Sequence, residues 1–401
     1  MLRKDFILCK TRSLLNEFIS PIITDANKPR QKFLRQSVAA ILLSGSLVVT
    51  EFARCIHDDC TDIFHRLKRL LNHLVSPCAN FTVILDTYRH MVSKYIQPDT
   101  PIIIDLTDIA KPRAKKMKYL ALVRDASEKK LVPGYWCVEV YAYLKKKRIL
   151  PLSLDTFSIE DPAVGSQNLQ IHRTVESVNK VLKGRGIWIA DRGFDSLNCY
   201  ETWFSEKCHF MVRQRGDRYV ELQNGVKIIQ TNLVEYLRQK QIEAGLSTEI
   251  VFGKVRLCDN SKQLYLVASW LAGYEEPLIL LTTLVVENIE QAKQIVWYYK
   301  KRWACEEASQ FLKSRIGFEQ FRIRRYEAIQ RLVILAMFAM GFLSWIFLRS
   351  KRLVRGLFGF TSRFRKQSKF AYYRLLDGLQ SFVRLKHLYI VGTQLKPLKN
   401  G

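Results

Sequence analysis

Residues 101–108 read Pro101-Ile102-Ile103-Ile104-Asp105-Leu106-Thr107-Asp108, and their first half decides the fold. Three β-branched residues in a row, entered through a proline, spell a short strand buried on both faces and ending at Asp105. A second run of the same kind, Gly186-Ile187-Trp188-Ile189-Ala190, ends at Asp191. Strands apolar on both faces belong to sheets covered by helices, and such sheets present functional groups at the carboxyl ends of their strands. A lone acid at a strand end is commonly a turn former or a helix cap. Two acids ending neighbouring parallel strands come to one edge.

Between the two runs lies a basic loop with Lys111, Arg113, Lys115, Lys116 and Lys118. Strands follow at 135–144 and 149–156, turning at Lys145-Lys146-Lys147-Arg148, then a helix at 167–182. After Asp191 a helix near 197–206 leads to a strand at 209–213, so the order is β-β-β-α-β-α-β. Upstream, residues 33–43, 47–56 and 62–75 carry helical apolar spacing, with Gly45-Ser46 breaking the first pair. A helix-turn-helix and a plain helical bundle fit this pattern equally well. Downstream, 216–284 is strand-rich, at 249–258, 263–269 and 277–284, and a long helix runs from Glu290 through Lys313.

The uncharged stretch 332–348 is shorter than the roughly 20 residues a membrane span needs, and it stands alone; it reads as a core helix. From Arg349 onward 13 Lys and Arg stand against one acid, Asp377. The expected fold class is therefore α/β, a mixed sheet with flanking helices, a β-rich insertion and an N-terminal helical domain. The expected divisions are 1–97 (helical), 98–215 (first part of the core), 216–285 (insertion), 286–348 (long helix and core-completing helix) and 349–401 (basic region).

The whole chain has 401 residues, 48% of them hydrophobic, and a formal net charge of +27. That apolar content excludes a disordered basic tail. The charge suggests a long polyanion, nucleic acid before membrane. Nine scattered cysteines and the mixed polar start predict reduced thiols in the cytoplasm. Cys55, His57, Cys60 and His65 are the nearest approach to a zinc site, at a spacing that does not match a finger. No nucleotide-binding glycine motif occurs.

Magnesium is typically held by a few carboxylates together with substrate phosphates, so a pair of ions needs a third acid. The long helix supplies it. Tyr299, Arg302, Glu306 and Lys313 stand at offsets whose side chains fall within about 60° of one another on an ideal helix. That face offers one acid among donors suited to phosphate oxygens. Glu307 is rotated away from it.

Tyr299-x2-Arg302-x3-Glu306-x6-Lys313 resembles the Y-x2-R-x3-E-x6-K signature of the bacterial insertion-sequence DDE transposases, and Asp105-x-Thr107 and Asp191-x-Gly193-Phe194 resemble their two aspartate motifs. The segment 280–283, Arg302-Trp303 and the strand-rich insertion resemble further features of that family. The likeness covers roughly 100–345. It implies an RNase H-like core in which Asp105, Asp191 and Glu306 bind two Mg²⁺ or Mn²⁺ ions. One ion would activate water or a DNA 3′-hydroxyl, and the other would stabilise the leaving oxygen. It also implies that Tyr299, Arg302 and Lys313 hold the scissile strand's phosphates, with Asp108 as a supporting partner or cap. The basic loop (Lys111, Arg113, Lys115, Lys116), the 145–148 turn and the tail would lie along double-stranded DNA, either the terminal inverted repeats or the target. Trp270 and Trp297 are candidates for stacking on a base. The activity implied is strand cleavage at transposon ends and transfer into target DNA, by a homodimer with no membrane role. The alternatives are a non-catalytic transposase-derived DNA-binding protein and another RNase H-like nuclease.

Overall fold

The computed structural model describes residues 4–385, except residues 25, 57–60, 77–79, 126–129, 259, 272 and 274. Five helices come first: α1 (Lys4–Ile19), α2 (Lys28–Ser44), α3 (Val49–Cys55), α4 (Ile63–Val75) and α5 (Phe81–Ser93). Asn27 caps α2 by accepting from the Arg30 N–H, with Pro29 in the first turn and Gly45 closing the helix at φ +65°. The α2–α3 pair bends by 97°, an angle that fits a helix-turn-helix. Its turn is not free, however. A Cβ at Gly45 would lie 2.9 Å from the Arg315 carbonyl oxygen, so the turn packs closely on a later part of the chain. Of the four residues nearest to a zinc spacing, His57 and Cys60 lie outside the described residues, and His65 pairs with Asp62 at 2.9 Å.

Next come β1 (Pro101–Ala110), β2 (Ala121–Asp125), β3 (Lys130–Leu144), β4 (Arg148–Phe157), α6 (Gln167–Leu182), β5 (Ile187–Ala190), α7 (Leu197–Ser205) and β6 (His209–Arg213). The first strand does not end at Asp105. It continues to Ala110 because β3 pairs with it antiparallel over that whole length. β2, which the sequence pattern did not announce, pairs with the first part of β3. β1, β5 and β6 run parallel, with Ile103 beside Ile189. Two residues further along that register, Asp105 and Asp191 arrive side by side.

The insertion contains β7 (Tyr219–Glu221), β8 (Lys227–Ile229), α8 (Gln230–Glu243), β9 (Ile250–Leu257), β10 (Leu264–Ser269) and β11 (Leu278–Thr282). Its strands extend the core sheet. The order is β2-β3-β1-β5-β6-β11-β10-β9-β7-β8, with β4 paired to β3. Helix α8 was not expected; Leu233 and Val234 are buried on it but most of its residues face solvent, which hides the apolar period.

The described residues end with α9 (Ile289–Tyr299), α10 (Trp303–Phe311), α11 (Tyr326–Arg349), α12 (Lys351–Phe358), α13 (Arg363–Lys366) and α14 (Ala371–Leu385). Helix α11 carries the uncharged stretch and is long and apolar enough to cross a membrane, yet 83% of that window is buried inside the protein. It lies against β4 and against α1, α2 and α4. The N-terminal helices, most of the sheet and α11 thereby share one apolar core. At about 1.5–3 kcal/mol per buried large side chain, removing α11 would leave no fold.

Candidate active site

The expected single helix from 290 to 313 is broken. Asn288 caps α9, which ends at Tyr299; residues 300–302 tighten into a 3-10 turn, α10 follows, and residues 312–316 widen into a π turn. Such departures from α-geometry recur at functional sites. The tight turn carries Arg302 inward, where it is only 8% exposed.

Arg302 is the hub. Its Nη1 donates to Asp105 Oδ2 at 3.3 Å, and its Nη2 donates to Glu306 Oε1 at 2.7 Å and stands 3.8 Å from Asp191 Oδ2. Three acids from β1, the end of β5 and α10 thus converge on one guanidinium. Tyr299 OH donates to Asp191 Oδ1 at 3.0 Å, and Arg213 on β6 lies 3.9 Å from the same oxygen. The backbone N–H groups of Leu106 and Arg192 donate to Asp105 and Asp191. All three acids keep side-chain exposure between 26% and 41%, so the cluster opens to solvent.

The charges are strongly coupled. Burial pushes Asp105 up to about 6 against the pull of Arg302 and the Leu106 N–H, and Asp191 and Glu306 add to the rise. Burial works against the charge on Arg302, but Tyr299 and the three acids outweigh it and raise its pKa. Burial and Asp191 raise Tyr299, which keeps its proton and acts as a donor. By the transposase resemblance Arg302 would hold phosphates. Here three neighbouring carboxylates claim it first.

Lys313 sits one step away. Its Nζ is 3.2 Å from Asp108 and 3.0 Å from Glu319, and those acids raise its pKa against the effect of burial. It does not touch the three converging acids. Lys111 is turned inward as well: only 7% exposed, it donates to the Glu319 and Phe321 carbonyls and lies over the Phe321 ring. Burial pulls it down to about 8. Arg113, Lys115 and Lys116 are exposed and, with Arg322 and Arg324, line a cavity of about 610 Å³ off the C-terminal end of β1. Trp270 lies under Arg238, while Trp297 is 53% exposed with Lys301 over its ring.

One residue escaped the sequence reading. Glu139 on β3 faces Asp105 across the sheet, is fully buried, and accepts from Ser309 and from the Cys305 thiol of α10. It ties the helix that carries Glu306, and that follows directly on Arg302, to the strand beside Asp105. Burial pushes it up to about 7. An acid inside the otherwise apolar run Val138-Glu139-Val140 was the available signal.

The three acids offer only carboxylate oxygens, the donor set that suits Mg²⁺ or Mn²⁺, and they already gather around one positive group. Among the described residues no group of three or more Asp, Glu, His or Cys stands at metal-binding spacing.

Residues 96–342 match the family described as Transposase DDE domain. The chain belongs to that family. No curated protein matches it. Among solved structures the transposase is similar to one described as the cryo-EM structure of a piggyBac transposase synaptic complex with hairpin DNA, at 12% identity and a TM-score of 0.47, over 96% of this chain and 80% of that one. Within the matched residues lie Asp105, Asp191, Glu306 and the whole Tyr299–Lys313 segment.

Proposed function

We propose that this transposase cuts DNA at transposon ends and joins the freed ends to target DNA, on an RNase H-like core, with Asp105, Asp191 and Glu306 as its metal ligands. The observation that carries the reading is the convergence of these three acids, from three separate elements, on the single guanidinium of Arg302. The mixed sheet, antiparallel from β4 through β3 to β1 and parallel from β1 through β6, fits such a core. Two Mg²⁺ or Mn²⁺ ions bound by the acids would supply activation of the attacking hydroxyl and stabilisation of the leaving oxygen.

The chain's own groups do the rest. Tyr299 fixes the Asp191 carboxylate by donating to one oxygen, and the other, which faces Arg302, would serve as a ligand. Glu139 holds α10 through Ser309, one turn from Glu306, and so sets the depth at which Glu306 stands. Arg302 neutralises the three acids, and would be available to a phosphate of the strand if bound ions took over that charge. Lys313, anchored by Asp108 and Glu319, places a fixed positive charge beside that path. The cut duplex lies in the cleft between residues 111–117 and 319–324, whose rim carries Arg113, Lys115, Lys116, Arg322 and Arg324. That cleft begins five residues beyond Asp105 on β1, about 17 Å away. Pairing two ends requires two copies of the chain.

The test uses a duplex carrying the inverted repeat that flanks the gene, with Mg²⁺. Alanine at Asp105, Asp191 or Glu306 should lower strand cleavage by on the order of 10³-fold or more while leaving duplex binding within a few-fold. Cleavage by Glu306→Ala at the normal rate would end the assignment.

A further inference from the structure

Two lysines in the β3–β4 turn hold backbone conformations that lysine avoids. Lys146 and Lys147 have φ of +66° and +56°, the left-handed region that hairpin turns usually fill with Asn and Gly. Here the turn presents exposed ammonium groups instead, with exposed Lys145 beside them. At the same corner α12 contributes exposed Lys351 and Arg355. Between turn and helix lies a cavity of about 260 Å³ lined by Lys146, Arg148, Lys351, Val354 and Arg355. Arg148 is engaged, donating to the Phe347 carbonyl at 3.0 Å. Among the described residues no carboxylate forms an ion pair with the other cations of this corner. Crowding like charges without partners raises the free energy of the folded chain, and the strained turn adds to it. A polyanion laid across the corner relieves the first cost and gives the second a purpose.

The corner is remote from the cleft assigned to the cut duplex. Helix α11 spans 24 residues, about 36 Å. One end lies by the Lys118–Glu327 pair of the basic loop, and the other lies by Phe347 under Arg148. The sheet agrees: the loop bearing Lys111 follows the C-terminal end of β1, whereas the β3–β4 turn lies off its N-terminal end, where Ile102 faces Ala142.

We propose that the β3–β4 turn and the first two turns of α12 bind, through its phosphates, a DNA duplex other than the one being cut. The proposal rests on the transposase reading above, in which a second duplex receives the cut ends.

The decisive variant combines Lys146→Asn and Lys147→Gly with Lys351→Ala and Arg355→Ala in the full chain. Asn and Gly suit the positive φ values, so the melting temperature should not fall on their account. With Mg²⁺, cleavage of the uncut end duplex should change by less than about twofold. The supercoiled-plasmid concentration giving half-maximal joining of a pre-cut end should rise about tenfold or more. The slope of log plasmid affinity against log salt should flatten by up to about four units, one per lost phosphate contact. An unchanged plasmid dependence would overturn the proposal. So would an end-cleavage loss equal to the joining loss, because one duplex would then span both basic regions. A wild-type chain that fails to cut its end duplex under these conditions would overturn the underlying function instead.

Discussion

Arg302 and Lys146 carry the same charge in opposite circumstances. Arg302 is buried and touches three carboxylates, while Lys146 is exposed in a strained turn beside Lys145, Lys147, Lys351 and Arg355. Where the chain compensates its own charge, it builds a compact centre in which one cation can be exchanged for another. Where it leaves charge uncompensated, it builds a surface whose partner comes from outside. The first region should respond to small cations, the second to salt and to duplex DNA.

The comparison is broken most forcefully at Arg302. Arg302→Ala leaves three carboxylates facing one another, one of them in a buried setting, and should cost roughly 2–4 kcal/mol in dilute buffer. Divalent cations should restore more stability to this variant than to the wild type, because the acids no longer have to release a guanidinium first. The measurement is the melting temperature with and without millimolar Mn²⁺. Equal shifts in the two proteins would mean that Arg302 and the metal do not compete for the same oxygens.

Glu139 sharpens the same contrast from beneath. Its pKa is raised from the ordinary 4.5 to about 7 by burial, so the fold favours its neutral form. Its contribution to stability is complete below about 4.5 and is lost as the pH climbs through about 7. Asp105 behaves alike over the window from 3.8 to about 6. The protein should therefore lose stability between about pH 4 and about pH 7, by up to a few kcal/mol. Glu139→Gln should flatten the upper part of that profile and keep the contact with Ser309. Urea midpoints that fall equally steeply in both proteins would refute the buried-acid account.

The legible parts of this molecule are those written in local pattern. The runs at 102–104 and 187–190 announce buried strands, and the apolar stretch at 332–348 announces a helix whose burial leaves no polar face. The offsets of Tyr299, Arg302 and Glu306 bring all three to the acid cluster even though the helix between them is not uniform. What stayed hidden depends on partners far along the chain. β1 runs past Asp105 only because β3 accompanies it, Lys111 turns inward only because carbonyls from 319–321 wait for it, and Lys313 is drawn to Asp108 and Glu319 by a π turn that no spacing rule foretells. Charge count found the basic loop, but burial decided which of its members can meet DNA.

That last distinction yields the smallest predicted effect. Lys116 is exposed on the rim of the cleft, whereas Lys111, five positions earlier in the same loop, is consumed by carbonyls and the Phe321 ring. Lys116→Ala should weaken binding of the end duplex by only a few-fold and reduce its salt slope by about one unit, with the melting temperature unchanged. Lys111→Ala should do the reverse. Stability should fall as two carbonyls lose their donor, and the salt slope should hold in protein that remains folded. Fluorescence anisotropy across a salt series, paired with thermal melts, reads both quantities on both variants. If the two lysines shift the slope equally, the inward placement of Lys111 is wrong, and the whole loop belongs with the uncompensated surface.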